Sequence, residues 1–316
     1  MQENLERKKT LNIFLANPRG FCAGVERAIS IVEKALEKYG APIYIKHEIV
    51  HNKYVVDTLK EKGAIFVEDV AEIPQNAITI YSAHGVSKKV ELDSEAKASK
   101  IFDATCPLVK KVHNRVVNLA KDNKKIILIG HNNHPEVEGT SGRVAEEVIL
   151  IENKDDALRL ELDDCNNLAY TTQTTLSIDD TREIIAILKK KFPNIIEPKS
   201  DDICYATQNR QNAVKAIVKD IDLLLVIGAK NSSNSNRLRD IGTENNKKSF
   251  LIADAAEIND KWLENISNIA ITAGASAPEI LVEEVINYLK ENFLVNIKHI
   301  DGKKENIVFN LPKELQ

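Results

Sequence analysis

Three cysteines in this chain stand in similar surroundings: Cys22 in NPRGFCAGVER, Cys106 in KIFDATCPLV and Cys204 in DDICYATQNRQ. Each precedes a stretch whose apolar residues suit a helix, so each thiol is expected at the mouth of one. There the free backbone N–H groups and the positive end of the helix favour negative charge on sulfur. Counting on from the cysteines, a polar loop residue follows at 29, 28 and 28 positions, namely His51, His134 and Ser232. A single motif of this kind reads equally well as a buried cysteine in a glycine turn. Three at matching offsets do not.

Three thiolates with no C-x-x-C spacing and no local fourth partner are an awkward set for structural zinc, which closes a tetrahedron. A four-iron cube held by three cysteines instead leaves one iron open to meet a substrate. The repeat is therefore read as a [4Fe–4S] site with ligands Cys22, Cys106 and Cys204. Cys165, in the polar DDCNN outside the repeated position, is read as a bystander.

The remaining loops carry His51, His84, His134, Glu136, Thr172, Thr174, Thr175, Ser232, Ser233, Asn234 and Ser276. Hydroxyls, amides and imidazoles at helix entrances hold phosphate oxygens alongside backbone N–H groups. Helix capping is the plainer use: Ser276 with Glu279 fits a capping box, and SSNSN contains a candidate N-cap. Capping and anion binding are compatible. His134 and Glu136 in HPEVE lie where both reach one cavity, and a carboxylic acid there has a proton to give. His113 lies in a charged helix and His131 and His299 lack the repeated loop position, so all three are read as structural or surface residues. HEIVH at 47–51 matches the zinc-protease pattern H-E-x-x-H, which needs a helix. The preceding PIYIK and the β-branched Ile49 and Val50 favour an extended segment, so that reading is set aside.

The elements that position these residues follow one grammar three times. After Cys22 come PIYI, HEIVHN, AIFVEDV and AITIY running into SAHGVS. After Cys106 come IILIG into HNNHPEVEG, VILIEN, and NLAY into TTQTTLS. After Cys204 come LLLVIG into AKNSSNSN, FLIADA, and NIAIT into AGASAPEIL. Strands alternating with helices predict mostly parallel sheets. The fold class is α/β, with three related units in a pseudo-threefold arrangement around a central cavity. The units are 11–105, 106–203 and 204–289, with 290–316 returning to the first through the strand-like IVFN. Val25, Ala28, Ile29, Val32, Leu36 and Tyr39 recur at helical spacing, and a further helix is expected at 178–191. Gly40 and Gly63 fall where helices should stop, and Pro107 suits a first helical position.

Composition narrows the class. Of 316 residues, 43% are hydrophobic and 28% charged, which is an ordinary globular balance. The net charge of −4, with no large basic cluster, argues against a nucleic-acid partner. MQENLERKKT lacks the apolar core of a signal peptide, and the apolar run 221–227 is only strand length, so a cytoplasmic chain with no membrane span is expected. Four dispersed cysteines in a reducing compartment make a disulfide framework unsuited.

Taken together, GFCAGVERA, EIVHN, SAHGV, ATCPLV, GHNNHPEVEG, TQTTLS, DDICYAT, KNSSNSNRL and TAGASAPE closely resemble the hydroxymethylbutenyl diphosphate reductases, the LytB or IspH family. The likeness runs from about 12 to about 289 and shows no departure at the motif positions. The resemblance implies the last step of the non-mevalonate (MEP/DOXP) isoprenoid route. In it, (E)-4-hydroxy-3-methylbut-2-enyl diphosphate takes up two electrons and two protons, loses water, and yields isopentenyl and dimethylallyl diphosphates. It also implies that the three motif cysteines hold a [4Fe–4S] cluster whose open iron takes the substrate hydroxyl. His51, His84, Ser232, Ser233, Asn234 and Ser276 would hold the diphosphate, with His134 lining that site, Thr174 near the hydroxyl end and Glu136 in the proton relay. With no G-x-G-x-x-G and no flavin or nicotinamide domain, electrons are expected from a transient partner such as ferredoxin or flavodoxin. A monomer is expected. The alternative is an iron–sulfur sensor that binds a diphosphate without transforming it.

Overall fold

A computed structural model describes residues 8–163 and 165–316. The polar opening MQENLER and Asp164 lie outside the described residues. In chain order the strands are β1 (Thr10–Leu15), β2 (Ile43–Lys46), β3 (Ala64–Val67), β4 (Ile78–Tyr81), β5 (Lys100–Asp103), β6 (Lys125–Ile129), β7 (Val148–Ile151), β8 (Leu168–Thr172), β9 (Leu223–Ile227), β10 (Lys248–Ile252), β11 (Asn268–Ala273) and β12 (Leu294–His299). The helices are α1 (Ala23–Tyr39), α2 (Lys53–Glu61), α3 (Lys88–Glu95), α4 (Pro107–Lys121), α5 (Pro135–Ser141), α6 (Lys154–Arg159), α7 (Ile178–Lys191), α8 (Tyr205–Ile217), α9 (Ser233–Glu244) and α10 (Glu279–Asn292). Among the described residues no helix is long and apolar enough to cross a membrane.

The fold is α/β with three parallel sheets, ordered β3-β2-β4-β5, β7-β6-β8 and β10-β9-β11-β1-β12. Each repeat thus owns a sheet, but two strand expectations are not met. β1, expected to head the first unit, pairs with β11 on one side and β12 on the other. IVFN forms no strand; the C-terminal strand is Leu294–His299.

The chain divides into two compact units. One comprises the residues up to Cys22, His51–Val55 and Tyr205–Val308. Its five-stranded sheet is covered on both faces, which is why LLLVI is a continuous apolar run rather than an alternating one. Leu223, Leu225 and Ile227 join Leu281, Val282, Val285 and Leu289 of α10 in one buried layer. Leu224 and Val226 point the other way, to Val214 and Ile217 of α8 and Leu238 and Ile241 of α9.

The second unit comprises Ala23–Val50, Val56–Cys204 and Phe309–Gln316, and holds the other two sheets. In the β7-β6-β8 sheet, Ile127 and Ile129 pack with Ile184 and Leu188 of α7, while Ile126 meets Val116 and Leu119 of α4 on the opposite face. The expected helix at 178–191 is α7. Helix α1 buries Val25, Ala28, Ile31, Val32 and Ala35, so its inner face is turned slightly from the expected Ile29–Leu36–Tyr39 edge. Gly40 and Gly63 follow α1 and α2 with φ of 78° and 99°, a conformation that ends a helix at little cost only for glycine.

Candidate active site

The site begins with the three cysteines. Cys22 directly precedes α1, Cys106 is the N-cap residue of α4 with Pro107 as its first helical residue, and Cys204 directly precedes α8. All three thiols are half-buried and unbridged, whereas Cys165 is exposed. Each backbone N–H is held by a carbonyl two residues beyond the end of a strand. Cys22 donates to Ala275 after β11 at 3.2 Å, Cys106 to Ala83 after β4 at 3.0 Å, and Cys204 to Thr174 after β8 at 2.9 Å. The pattern is cyclic: the third repeat's loop holds the first cysteine, the first holds the second, and the second holds the third. Three unbridged thiols at helix mouths are a donor set that fits an iron–sulfur cluster, in which each thiolate takes a different iron.

In the second unit, the loops after β4, β6 and β8 bring His84, His134, Glu136 and Thr174 together with Cys106 and Cys204. His134 caps α5, its Nδ1 accepting from the Glu136 N–H at 3.1 Å, which leaves the ring proton of the neutral imidazole on Nε2. The rings of His84 and His134 meet edge to face with centroids 5.8 Å apart. Glu136 is only 2% exposed. Its Oε1 accepts from the Thr174 N–H at 2.7 Å and its Oε2 from Thr174 Oγ1 at 3.0 Å. Burial outweighs those two bonds and, with Asp202 nearby, pushes the Glu136 carboxyl up to about 7. Thr172 ends β8, and Thr175 Oγ1 accepts from Gln173 Nε2 at 2.9 Å.

In the first unit, the loops after β9 and β11 bring Asn234 and Ser276 close to His51 and Cys22. Ser276 Oγ donates to the His51 carbonyl at 2.9 Å, and Asn231 Nδ2 donates to His51 Nδ1 at 3.2 Å. The capping box expected between Ser276 and Glu279 does not form. Pro278 caps α10, the Ser276 hydroxyl is spent on His51, and Glu279 pairs with Arg19. Ser232 does cap α9, accepting from the Ser235 N–H at 3.3 Å, and Ser233 is that helix's first residue. Asn234 follows, 4% exposed, with neither amide atom meeting a protein partner. A Cβ on Gly274 would sit 3.6 Å from Asn234 Nδ2, so the two loops touch.

The HEIVH segment is an irregular loop rather than an extended one, and His47 adopts a φ of 64°. His47 bonds Glu68 and Lys46, while His51 bonds Asn231. Among the described residues, no three His, Cys, Asp or Glu side chains gather as a single zinc ion would need. His113 is buried and structural, and His131 and His299 are exposed. Sequence reasoning missed Asn231, which orients His51, and Gln173, whose Oε1 accepts from the His131 N–H at 3.0 Å. Their position inside the KNSSNSN and TQTT loops was the available signal.

Fold and site together define an α/β protein of parallel sheets with three thiols directly ahead of helices and a buried acid in the first turn of another. The chain belongs to the LytB protein family, whose profile matches residues 13–290. The 4-hydroxy-3-methylbut-2-enyl diphosphate reductase of Ruthia magnifica subsp. Calyptogena magnifica is 55% identical over 306 residues, 97% of this chain and 100% of its own. That named 4-hydroxy-3-methylbut-2-enyl diphosphate reductase 1 in Rhodopseudomonas palustris is 56% identical over 303 residues, 96% of this chain and 99% of its own. Among solved structures, that of the E-1-hydroxy-2-methyl-but-2-enyl-4-diphosphate reductase from Plasmodium falciparum matches with a TM-score of 0.91 at 42% identity, covering 98% of this chain and 96% of its own.

Proposed function

We propose that this chain reduces (E)-4-hydroxy-3-methylbut-2-enyl diphosphate to isopentenyl and dimethylallyl diphosphates with loss of water. The observation that carries the reading is a buried carboxyl, Glu136, pushed by its burial up to about 7 and bonded through both oxygens to Thr174, whose carbonyl holds the Cys204 loop. Full-length likeness to reductases of that name supports it.

Cys22, Cys106 and Cys204 would together hold a [4Fe–4S] cluster, which when bound supplies electrons and a Lewis-acidic iron at the substrate hydroxyl. The chain's own residues do the rest. The Asn234 amide, buried without a protein partner, and the hydroxyls of Ser232, Ser233 and Ser276 would bind the diphosphate, with His51, His84 and His134 adding imidazole donors. Hydroxide leaves poorly until it is protonated. With a proton on Oε2 the contact with the Thr174 hydroxyl, 3.0 Å long, reverses its direction. Glu136 donates to Thr174 Oγ1 and Thr174 turns its own hydroxyl proton to the departing oxygen, so the relay uses a separation already in place. Two electrons enter, the C–O bond breaks, water leaves, and a second proton goes to one end or the other of the allyl system. The electrons come from a small redox protein such as ferredoxin or flavodoxin, and the chain acts as a cytoplasmic monomer. A diphosphate-binding sensor would leave the protonated acid without a task.

The test is an anaerobic assay of the iron- and sulfide-replete protein with this diphosphate and a chemically reduced dye. Dye oxidation with formation of both five-carbon diphosphates supports the reading. Tight binding of the diphosphate with no dye consumed would replace it with the sensor.

A further inference from the structure

Three cations, none of them in the polar loops, share a relation to the cysteines. Arg27 lies five residues past Cys22, Lys111 five past Cys106 and Arg210 six past Cys204, so each rides on the helix that a motif cysteine opens. Each reaches backbone carbonyls just ahead of a different motif cysteine. Arg27 donates to Thr105 O at 3.2 Å and Asp103 O at 3.3 Å, ahead of Cys106. Lys111 donates to Asp201 O at 2.8 Å, ahead of Cys204. Arg210 donates from Nε and Nη2 to Gly20 O at 3.0 and 2.7 Å, and from Nη2 to Phe21 O at 3.1 Å, ahead of Cys22.

Arg210 is the most committed of the three. It is 0% exposed, and Nη1 also donates to Ala206 O at 2.9 Å and to both oxygens of Glu305 at 3.2 and 3.3 Å. Every guanidinium nitrogen is thus used, and the planar fork fixes Gly20 and Phe21 in one orientation. Glu305 belongs to the segment that follows β12. That segment is seated by Asn17, whose Nδ2 donates to Ile300 O at 2.9 Å, and by Gly302, which lies so close to Asn17 that no Cβ would fit. Asn209 Nδ2 donates to Glu305 Oε1 at 2.8 Å and fixes the carboxylate from the other side.

We propose that Arg27, Lys111 and Arg210 are positioning residues for the three cysteines, and that Glu305 sets the grip of Arg210 on the Cys22 loop. This rests on the reading that those cysteines hold a cluster. A buried guanidinium keeps its reach only while its carboxylate stays opposite it; without Glu305, Nη1 is left with Ala206 O alone and the fork is free to turn. The Cys22 thiolate then loses its fixed direction although the thiol itself is untouched.

The experiment compares wild type, Glu305→Ala and Glu305→Gln as full chains, each reconstituted anaerobically. Three things are read: iron content with far-ultraviolet circular dichroism, the electron paramagnetic resonance spectrum of the reduced protein, and the rate at which visible absorption bleaches in a chelator. The expected result is unchanged helical content, an altered resonance spectrum, and bleaching about 5-fold faster in Glu305→Ala, as loss of one buried charged partner implies. Glu305→Gln, which keeps an acceptor oxygen, should fall between it and wild type. Identical spectra and rates in all three proteins would overturn the proposal. Loss of helical signal in Glu305→Ala would also overturn it, because the task assigned to Glu305 is local. A wild type that takes up no iron–sulfur cluster would instead bring down the cluster reading itself.

Discussion

Thr174 holds both carboxyl oxygens of Glu136, its backbone N–H on Oε1 at 2.7 Å and its hydroxyl on Oε2 at 3.0 Å. The acid is thereby aimed as well as buried, and aim is what a proton donor needs. Glu136→Gln keeps the shape and an acceptor for the Thr174 N–H while removing the proton. It should hold iron and bind the diphosphate as wild type does but turn over ~100-fold more slowly. Steady-state turnover near the wild-type value would remove Glu136 from the relay.

The same residue gives the stability a pH signature. Its folded value is raised from 4.5 to about 7, so the stabilisation from holding a proton is whole below 4.5 and is lost as pH rises through about 7. His113 works in the opposite direction. Burial first, and Arg143 next, depress its folded value from 6.5 to about 4, so its contribution is present above 6.5 and lost as pH falls through about 4. Between 4.5 and 6.5 the two slopes oppose each other. In Glu136→Gln the opposing Glu136 slope is gone, and Tm should climb with pH across that window more steeply than in wild type. Parallel Tm profiles would show that Glu136 does not titrate there.

Cys22→Ser, Cys106→Ser and Cys204→Ser should each lose or weaken iron binding, while Cys165→Ser, altering an exposed thiol, should bind iron normally. Iron and sulfide analysis of the four purified variants decides it. Selective loss in Cys165→Ser would mean the ligand set is wrong.

Asn234 separates binding from stability. A buried amide with no protein partner costs about 1–3 kcal/mol, so Asn234→Ala should leave Tm unchanged or raise it. If the amide serves the diphosphate, KM for substrate should rise about tenfold, the equivalent of one lost hydrogen bond to charge. A lower Tm with unaltered KM would make Asn234 structural.

Gly85 lies behind His84 with φ of 79°, and a Cβ there would stand 2.6 Å from His113 Cε1 and 3.0 Å from Thr105 Cγ2. Gly85→Ala should destabilise the fold by about 1–3 kcal/mol in urea titration, from strained backbone and overpacking together. A change below about 0.5 kcal/mol would show that the His113 ring yields freely.

How much could be read in advance differs from element to element. The cysteine helices, the three sheets and α7 were legible because periodicity and punctuation agree there, with Gly40, Gly63 and Pro107 at the boundaries expected. β12 was not, because as an edge strand it buries little and LVNIKH shows only a weak alternation. IVFN misled for the converse reason: it has strand composition, yet Val308 is 85% exposed. The partnership of β1 with β11 and β12 joins residues too distant for any local pattern to report. Arg210 escaped notice because an arginine in a helix normally marks a solvated face, and only the folded chain shows it buried.

The place of β1 has a consequence for the order in which the molecule is made. Asn12 is paired with Asn268 on one side and Asn296 on the other, and the Cys22 amide waits on Ala275. β1 is therefore made long before either of its neighbours, and it carries Leu11, Ile13 and Leu15 unburied until β11 and β12 have followed. Of the three motif cysteines, Cys22 is made first and held last. Any chemistry that needs all three thiols in place must wait for β11 and the Ala275 loop, and truncation ahead of β11 would leave β1 without either neighbour and the Cys22 loop unheld.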